Sequence, residues 1–144
     1  MVVGPAHHYG VNVSDIERSI EFYRDVLGLE LLREEKELSD HHEELLGVEG
    51  VEGTFAVLEG NGMKFELKSI DKPSNKSINA MRSPIDVGDD HFCWEVDDID
   101  AKYEELTDKG VEFLGEPKSV GTVKSRVAYF YDPDGNVLEL VEPE

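Results

Sequence analysis

The chain has 144 residues, 39% of them hydrophobic, and 14 Lys and Arg stand against 33 Asp and Glu for a formal net charge of −19. That length allows one domain, or two small halves sharing a core, and the apolar content excludes wholesale disorder. The acidic excess excludes nucleic acid and anionic membrane surfaces as partners. No apolar run approaches the ~20 residues of a spanning helix, and a single cysteine, Cys93, excludes a disulfide framework. With no basic, apolar leader at the start, a cytoplasmic protein is expected.

In chain order, His8-Tyr9-Gly10-Val11-Asn12-Val13 alternates and predicts a strand over 6–13. Ile16, Ile20, Tyr23 and Leu27 recur at helical spacing and predict a helix over 15–27. Ser14 and Glu17 stand at capping-box spacing before it, and Gly28 closes it. Strands follow near 29–36, 52–59 and 62–69, with a short extra helix over 39–46 between the first two. Glu59-Gly60-Asn61-Gly62 reads as the hairpin turn between the last two. A stretch near 71–88, containing Pro73 and Pro84, reads as a linker.

The same order then returns. His91-Phe92-Cys93-Trp94-Glu95-Val96 predicts a strand over 90–96. Ile99, Tyr103 and Leu106 predict a helix over 98–109, with Asp97 in the place of Ser14 and Gly110 in the place of Gly28. Strands are predicted near 111–114, 124–131 and 136–142. The turn Asp132-Pro133-Asp134-Gly135 sets the register of the last one, which aims Glu139. The unit is β-α-β-β-β, twice, an α+β arrangement. Tyr9, Phe22, Tyr23, Trp94 and Tyr103 are the expected core between sheet and helices.

Strand parity selects the chemistry. His8 shares a face with Gly10 and Asn12, and His91 with Cys93 and Glu95; Glu66 and Glu139 each lie opposite flanking apolar residues. His7 falls on the face opposite His8, and His41 and His42 belong to a solvated helix. Two imidazoles and two carboxylates at equivalent positions of two copies suit one divalent ion of the Ni, Zn, Co, Mn or Fe kind. Such an ion can grip two adjacent substrate oxygens, and a carboxylate beside it can act as a general base.

The pattern from His8 through Ser19-Ile-Glu-Phe-Tyr-Arg-Asp-Val-Leu-Gly28, with Asp132-Pro-Asp-Gly-Asn-Val-Leu-Glu139-Leu, resembles the vicinal oxygen chelate superfamily. Its members include glyoxalase I, extradiol dioxygenases and bleomycin resistance proteins. The resemblance spans essentially the whole chain. It implies a single domain over 1–144, with one βαβββ module near 5–70, the linker near 71–88 and a second module near 89–144. The modules would form a curved mixed sheet around a metal cavity. It implies His8, Glu66, His91 and Glu139 as metal ligands, the order of bacterial glyoxalase I, and a homodimer acting on a small molecule. The implied reaction is that of a lyase or isomerase moving a proton through an enediolate, with Glu139 the leading base and Glu66 its symmetric alternate.

The chain departs from glutathione-using members, which place an arginine on the first strand, where Asn12 stands here. They place another shortly before the second histidine, where Val87, Gly88 and Asp89 stand. Lys64 and Lys68 share the face of Glu66 and offer positive charge instead. The alternatives are an Fe(II) extradiol-type dioxygenase using His8, His91 and Glu139, against which Glu66 counts, and a metal-free, ligand-sequestering dimer of the bleomycin-resistance type. The segment from Glu34 to Gly53 has no counterpart in the second copy and is expected to rim the cavity and help select the substrate.

Overall fold

The computed structural model describes residues 4–35, 38, 41–73, 83–85 and 87–143. Parts of the predicted extra helix and most of the predicted linker lie outside the described residues. The chain divides into two compact units, Met1–Ser77 and Ile78–Glu144.

The first unit runs β1 (His8–Val13), α1 (Ile16–Glu21), β2 (Glu30–Glu35), α2 (His41–Leu46), β3 (Glu52–Gly60) and β4 (Met63–Lys72). Its sheet has the order β1-β4-β3-β2, with β1 and β4 parallel and the other pairs antiparallel. The second unit runs β5 (Phe92–Glu95), α3 (Ile99–Asp108), β6 (Lys118–Val120), β7 (Ser125–Tyr131) and β8 (Val137–Pro143). Its sheet repeats the pattern as β5-β8-β7-β6, again with the first pair parallel. Both units are therefore βαβββ modules, as the internal repeat predicts.

Each sheet buries one face against its helix. In the first unit that face carries Val11, Val13, Ala56, Leu58, Phe65 and Leu67, all buried. Ile20 and Tyr23 pack over it, with the Tyr23 ring 6.0 Å from that of Phe65. In the second, Ala128, Phe130, Leu138 and Leu140 are buried with Ile99 and Leu106 of α3. Tyr103, Phe113 and Phe130 form a chain of rings at 4.6 and 5.3 Å. Each such apolar side chain contributes about 1.5–3 kcal/mol on burial, so the helix-facing surfaces hold each module together, and the opposite surfaces carry a mixture of apolar and polar residues.

Four local features differ from the sequence reading. The helix caps are Asp15 and Asp98, one residue after Ser14 and Asp97. Asp15 Oδ1 accepts from the Arg18 amide at 3.1 Å and Asp98 Oδ1 from the Ala101 amide at 2.9 Å. Ser14 Oγ instead accepts from the Arg18 guanidinium at 3.0 Å. After α1 the helix widens into a π turn over Phe22–Val26. The extra residue per turn lets the neighbours Phe22 and Tyr23 both turn inward, so Leu27 leaves the core stripe and Leu29, 5% exposed, takes its place.

The fourth difference lies at 111–114, predicted as a strand. Only an isolated bridge, Phe113 to Phe130, forms there, before pairing resumes at Lys118 opposite Val127. Five steps along one strand match three along the other. The surplus falls at Gly115-Glu116-Pro117, where proline has no amide hydrogen to donate to the ladder.

The turns hold register. Gly60 pairs with Met63 across Asn61-Gly62, both at positive φ, the two-residue hairpin turn that fits strand twist. In the second unit, buried Asp132 organises the turn. Its Oδ1 accepts from the amides of Asp134 at 2.9 Å and Asn136 at 2.8 Å, and its Oδ2 from Asn136 Nδ2 at 2.7 Å. Gly53 is also structural: a Cβ there would lie 2.2 Å from the Ser69 carbonyl oxygen.

Candidate metal centre

The face of each sheet turned away from its helix carries the predicted ligands, and the two registers match. In the first unit Gly10 pairs with Glu66, with His8 two residues before Gly10. In the second Cys93 pairs with Glu139, with His91 two residues before Cys93. A histidine two residues before the register partner of the glutamate thus recurs in both units, as the first residue of β1 in one and immediately before β5 in the other. Exposure follows parity in β1, where His8, Gly10 and Asn12 are exposed and Val11 and Val13 buried.

The second unit holds its pair tightly. His91 Nε2 lies 2.9 Å from Glu139 Oε2, with side chains 39% and 12% exposed. A carboxylate so enclosed pays a desolvation cost of several kcal/mol unless it is partnered. Glu139 is partnered on every side. Cys93 flanks it on β5 and Tyr129 on β7, and the His91 ring meets the Tyr129 ring edge-on at 5.3 Å. Burial, then the charge of Glu139 and hydrogen bonding to it, pushes the Cys93 thiol up to about 12 and raises the Tyr129 phenol. Both groups therefore stay protonated as donors at neutral pH, and Cys93 is not a thiolate nucleophile.

The first unit is more open and more cationic. Lys68 Nζ lies 3.5 Å from Glu66 Oε1, each side chain 27% exposed. Lys64 is the register partner of His8. His8 and His7 have their Nδ1 atoms 2.9 Å apart and their rings edge to face. Parity does not separate these two histidines, because β1 begins at His8 and His7 stands outside the strand constraint.

The donor set suits a divalent first-row ion. The His91 imidazole and the Glu139 carboxylate, 2.9 Å apart, are donor types that would serve such an ion. Among the described residues no three His, Cys, Asp or Glu side chains are gathered closely enough to hold an ion.

Tyr129 was not among the sequence-predicted site residues. Its signal is the alternation of β7, where Ala128 and Phe130 are buried toward the helix and Val127, Tyr129 and Tyr131 take the other face. Among the described residues no helix is long and apolar enough to cross a membrane.

A probable lactoylglutathione lyase of Synechocystis is 28% identical over 135 residues, which cover 94% of this chain and 92% of that protein. Among solved structures, a glyoxalase family protein from Bacillus cereus superposes with a TM-score of 0.85 at 19% identity, covering 99% of this chain and 95% of that one. An antibiotic binding protein from Streptomyces superposes with a TM-score of 0.67 at 26% identity, covering 100% and 99%. The family model described as the Glyoxalase/Bleomycin resistance protein/Dioxygenase superfamily matches residues 6–140. With two βαβββ modules and this match over nearly its whole length, the chain belongs to that superfamily.

Proposed function

We propose that the chain is a metal-dependent lyase or isomerase of the glyoxalase type, its two modules acting as one vicinal oxygen chelate domain. In this reading His8, Glu66, His91 and Glu139 together hold one divalent Ni, Zn, Co, Mn or Fe ion, and the protein works as a homodimer on a small carbonyl substrate. The observation that carries the reading is the enclosure of Glu139, buried on the sheet face away from the helix and 2.9 Å from His91. A glutamate with only a surface role has no reason to accept that desolvation.

When bound, the ion supplies Lewis-acid polarisation of two adjacent substrate oxygens. The side chains supply the rest. On a hydroxy-carbonyl substrate Glu139 would take the proton from the hydroxyl-bearing carbon and deliver it to the former carbonyl carbon, while the hydroxyl proton passes between the two oxygens. On an epimer the proton would return to the same carbon from the opposite face. In both cases substrate and product are isomers and no oxidant or reductant is consumed. Cys93 and Tyr129 flank Glu139 from the two neighbouring strands and would limit the orientation of its carboxylate. Glu66 is the alternate base, in a more solvated setting beside Lys68. The absence of arginine at Asn12 and at 87–89 argues for a substrate other than a glutathione adduct, because glutathione carries two carboxylates that need cationic partners.

The test is metal content by mass spectrometry on untagged protein, followed by turnover of hemithioacetals and acyl-CoA epimers. About one divalent ion per chain is expected, lost in His91→Ala. Glu139→Gln is expected to lower turnover by roughly 10²–10⁴-fold, the usual share of a general base, with an unchanged circular dichroism spectrum. No ion after incubation with each metal would overturn the catalytic reading in favour of ligand sequestration. Iron alone, with catechol cleavage, would favour the dioxygenase.

A further inference from the structure

The first unit carries a pocket of about 410 Å³ beside Glu66. Its floor is the same sheet face, through Asn12 of β1 and Lys68 and Ile70 of β4. Its other walls come from the segment without a counterpart in the second unit, through Leu46, Val48 and Val51. The described residues of that segment are tied to one another and to β3. The Gly50 amide donates to Glu43 Oε1 at 3.0 Å, the Leu38 amide donates to the Gly53 carbonyl at 2.9 Å, and the His42 ring lies 6.2 Å from that of Phe55. The pocket is therefore built rather than a gap beside a loose loop, and its volume falls within the roughly 300–1,000 Å³ of small-molecule sites.

Among the described lining residues, Leu46, Val48, Val51, Ile70 and Pro73 are apolar, and Lys68 is the one ionised side chain. Its ammonium lies toward Gly10, where a Cβ would meet Nζ at 3.6 Å, and toward Glu66 at 3.5 Å. The cation thus stands between an apolar chamber and the candidate metal ligand.

We propose that this pocket takes the apolar arm of a monoanionic carboxylate, with the carboxylate on Lys68 and the aliphatic or aromatic arm against Leu46, Val48, Val51 and Ile70. The proposal rests on the metal-site reading only in joining the pocket to the reacting end of a substrate. Among the described lining residues the Lys68 ammonium, shared with Glu66 at 3.5 Å, is the positive group offered to a carboxylate, and the apolar walls match a hydrocarbon arm. The sign is informative because the chain as a whole, at −19, attracts cations and repels anions. A preference for an anion must therefore come from a local group.

The experiment titrates hexanoate, 1-hexanol and hexylamine into chelator-treated protein, followed by amide chemical shifts, and repeats the titration on metal-loaded protein. Hexanoate is expected to bind more tightly than the other two, with shifts centred on Leu46, Val48 and Ile70. Lys68→Gln is expected to weaken hexanoate at least tenfold while leaving 1-hexanol unchanged, and Lys68→Arg to restore most of the hexanoate affinity. Leu46→Glu is expected to weaken all three probes at this site. Equal binding of the alcohol and the acid, tightest binding of the amine, or equal losses for all probes in Lys68→Gln would overturn the proposal. Hexanoate binding by a protein that takes up no metal would sink the metal reading alone. Metal uptake without a hexanoate preference would sink this inference alone.

Discussion

Ser19 is fully buried in α1, and its hydroxyl has no hydrogen-bond partner among the described residues. A buried hydroxyl left unsatisfied costs about 1–3 kcal/mol, and alanine is also the better helix former. Ser19→Ala is expected to raise stability by about 1 kcal/mol in urea unfolding; a loss would mean that the hydroxyl bonds an ordered water. At this scale the sequence was most legible where a polar residue interrupts an apolar alternation. Glu66 and Glu139 stand out against Phe65, Leu67, Leu138 and Leu140. Tyr129 does not stand out, because tyrosine suits a core as well as a site and only the register across β7 and β8 assigns its face. The pairing of His7 with His8 was hidden for a related reason, since parity applies only inside a strand.

Among the elements, the turn from Asp132 to Gly135 does the most to position the site. Three donors converge on the Asp132 carboxylate, and the ladder they start runs from Tyr131–Val137 to Tyr129–Glu139. Asp132→Ala leaves those donors unmatched in a buried turn. It is expected to cost about 1–3 kcal/mol in thermal or urea unfolding, and more activity than Asp134→Ala, which removes no carboxylate that accepts them. Equal effects of the two would mean that the turn does not aim Glu139. Helices and hairpins were readable because periodicity and Asn-Gly are local signals, although the caps fall one residue later than the capping-box spacing placed them. The strand predicted over 111–114 was not, because Val111-Glu112-Phe113-Leu114 has strand chemistry and its pairing is cut short by Pro117, several residues downstream. The π turn after α1 was equally illegible: it is set by the packing of Phe22 and Tyr23, and the α-helical periodicity carries no trace of it.

Across the whole molecule, 33 acids against 14 bases leave most carboxylates without a cation. The cations present are mostly engaged, as where Lys102 and Lys109 flank Glu105 on α3 and hold its carboxyl at about 2. These exposed pairs contribute only tenths of a kcal/mol each, so repulsion among the remaining acids outweighs them. Raising salt from 0.1 to 1 M shortens the screening length from about 10 to about 3 Å. The melting temperature is expected to rise with sodium chloride over that range; a fall would show that ion pairs dominate. The two-module architecture was legible because the chain repeats its elements in order, which no single-copy α+β domain does.

The two sheets share a register but not their equipment. Where the second unit sets Cys93 and Tyr129 beside Glu139, the first sets Gly10 and Val57 beside Glu66. A duplicated scaffold in this condition has room for a division of labour. One copy keeps the enclosed acid, the proton-moving group of the proposed reaction. The other keeps an open face bordered by an inserted segment, where substitutions at Asn12, Leu46 or Val48 reshape what is gripped. Descendants of such a chain can change diet without relearning their chemistry.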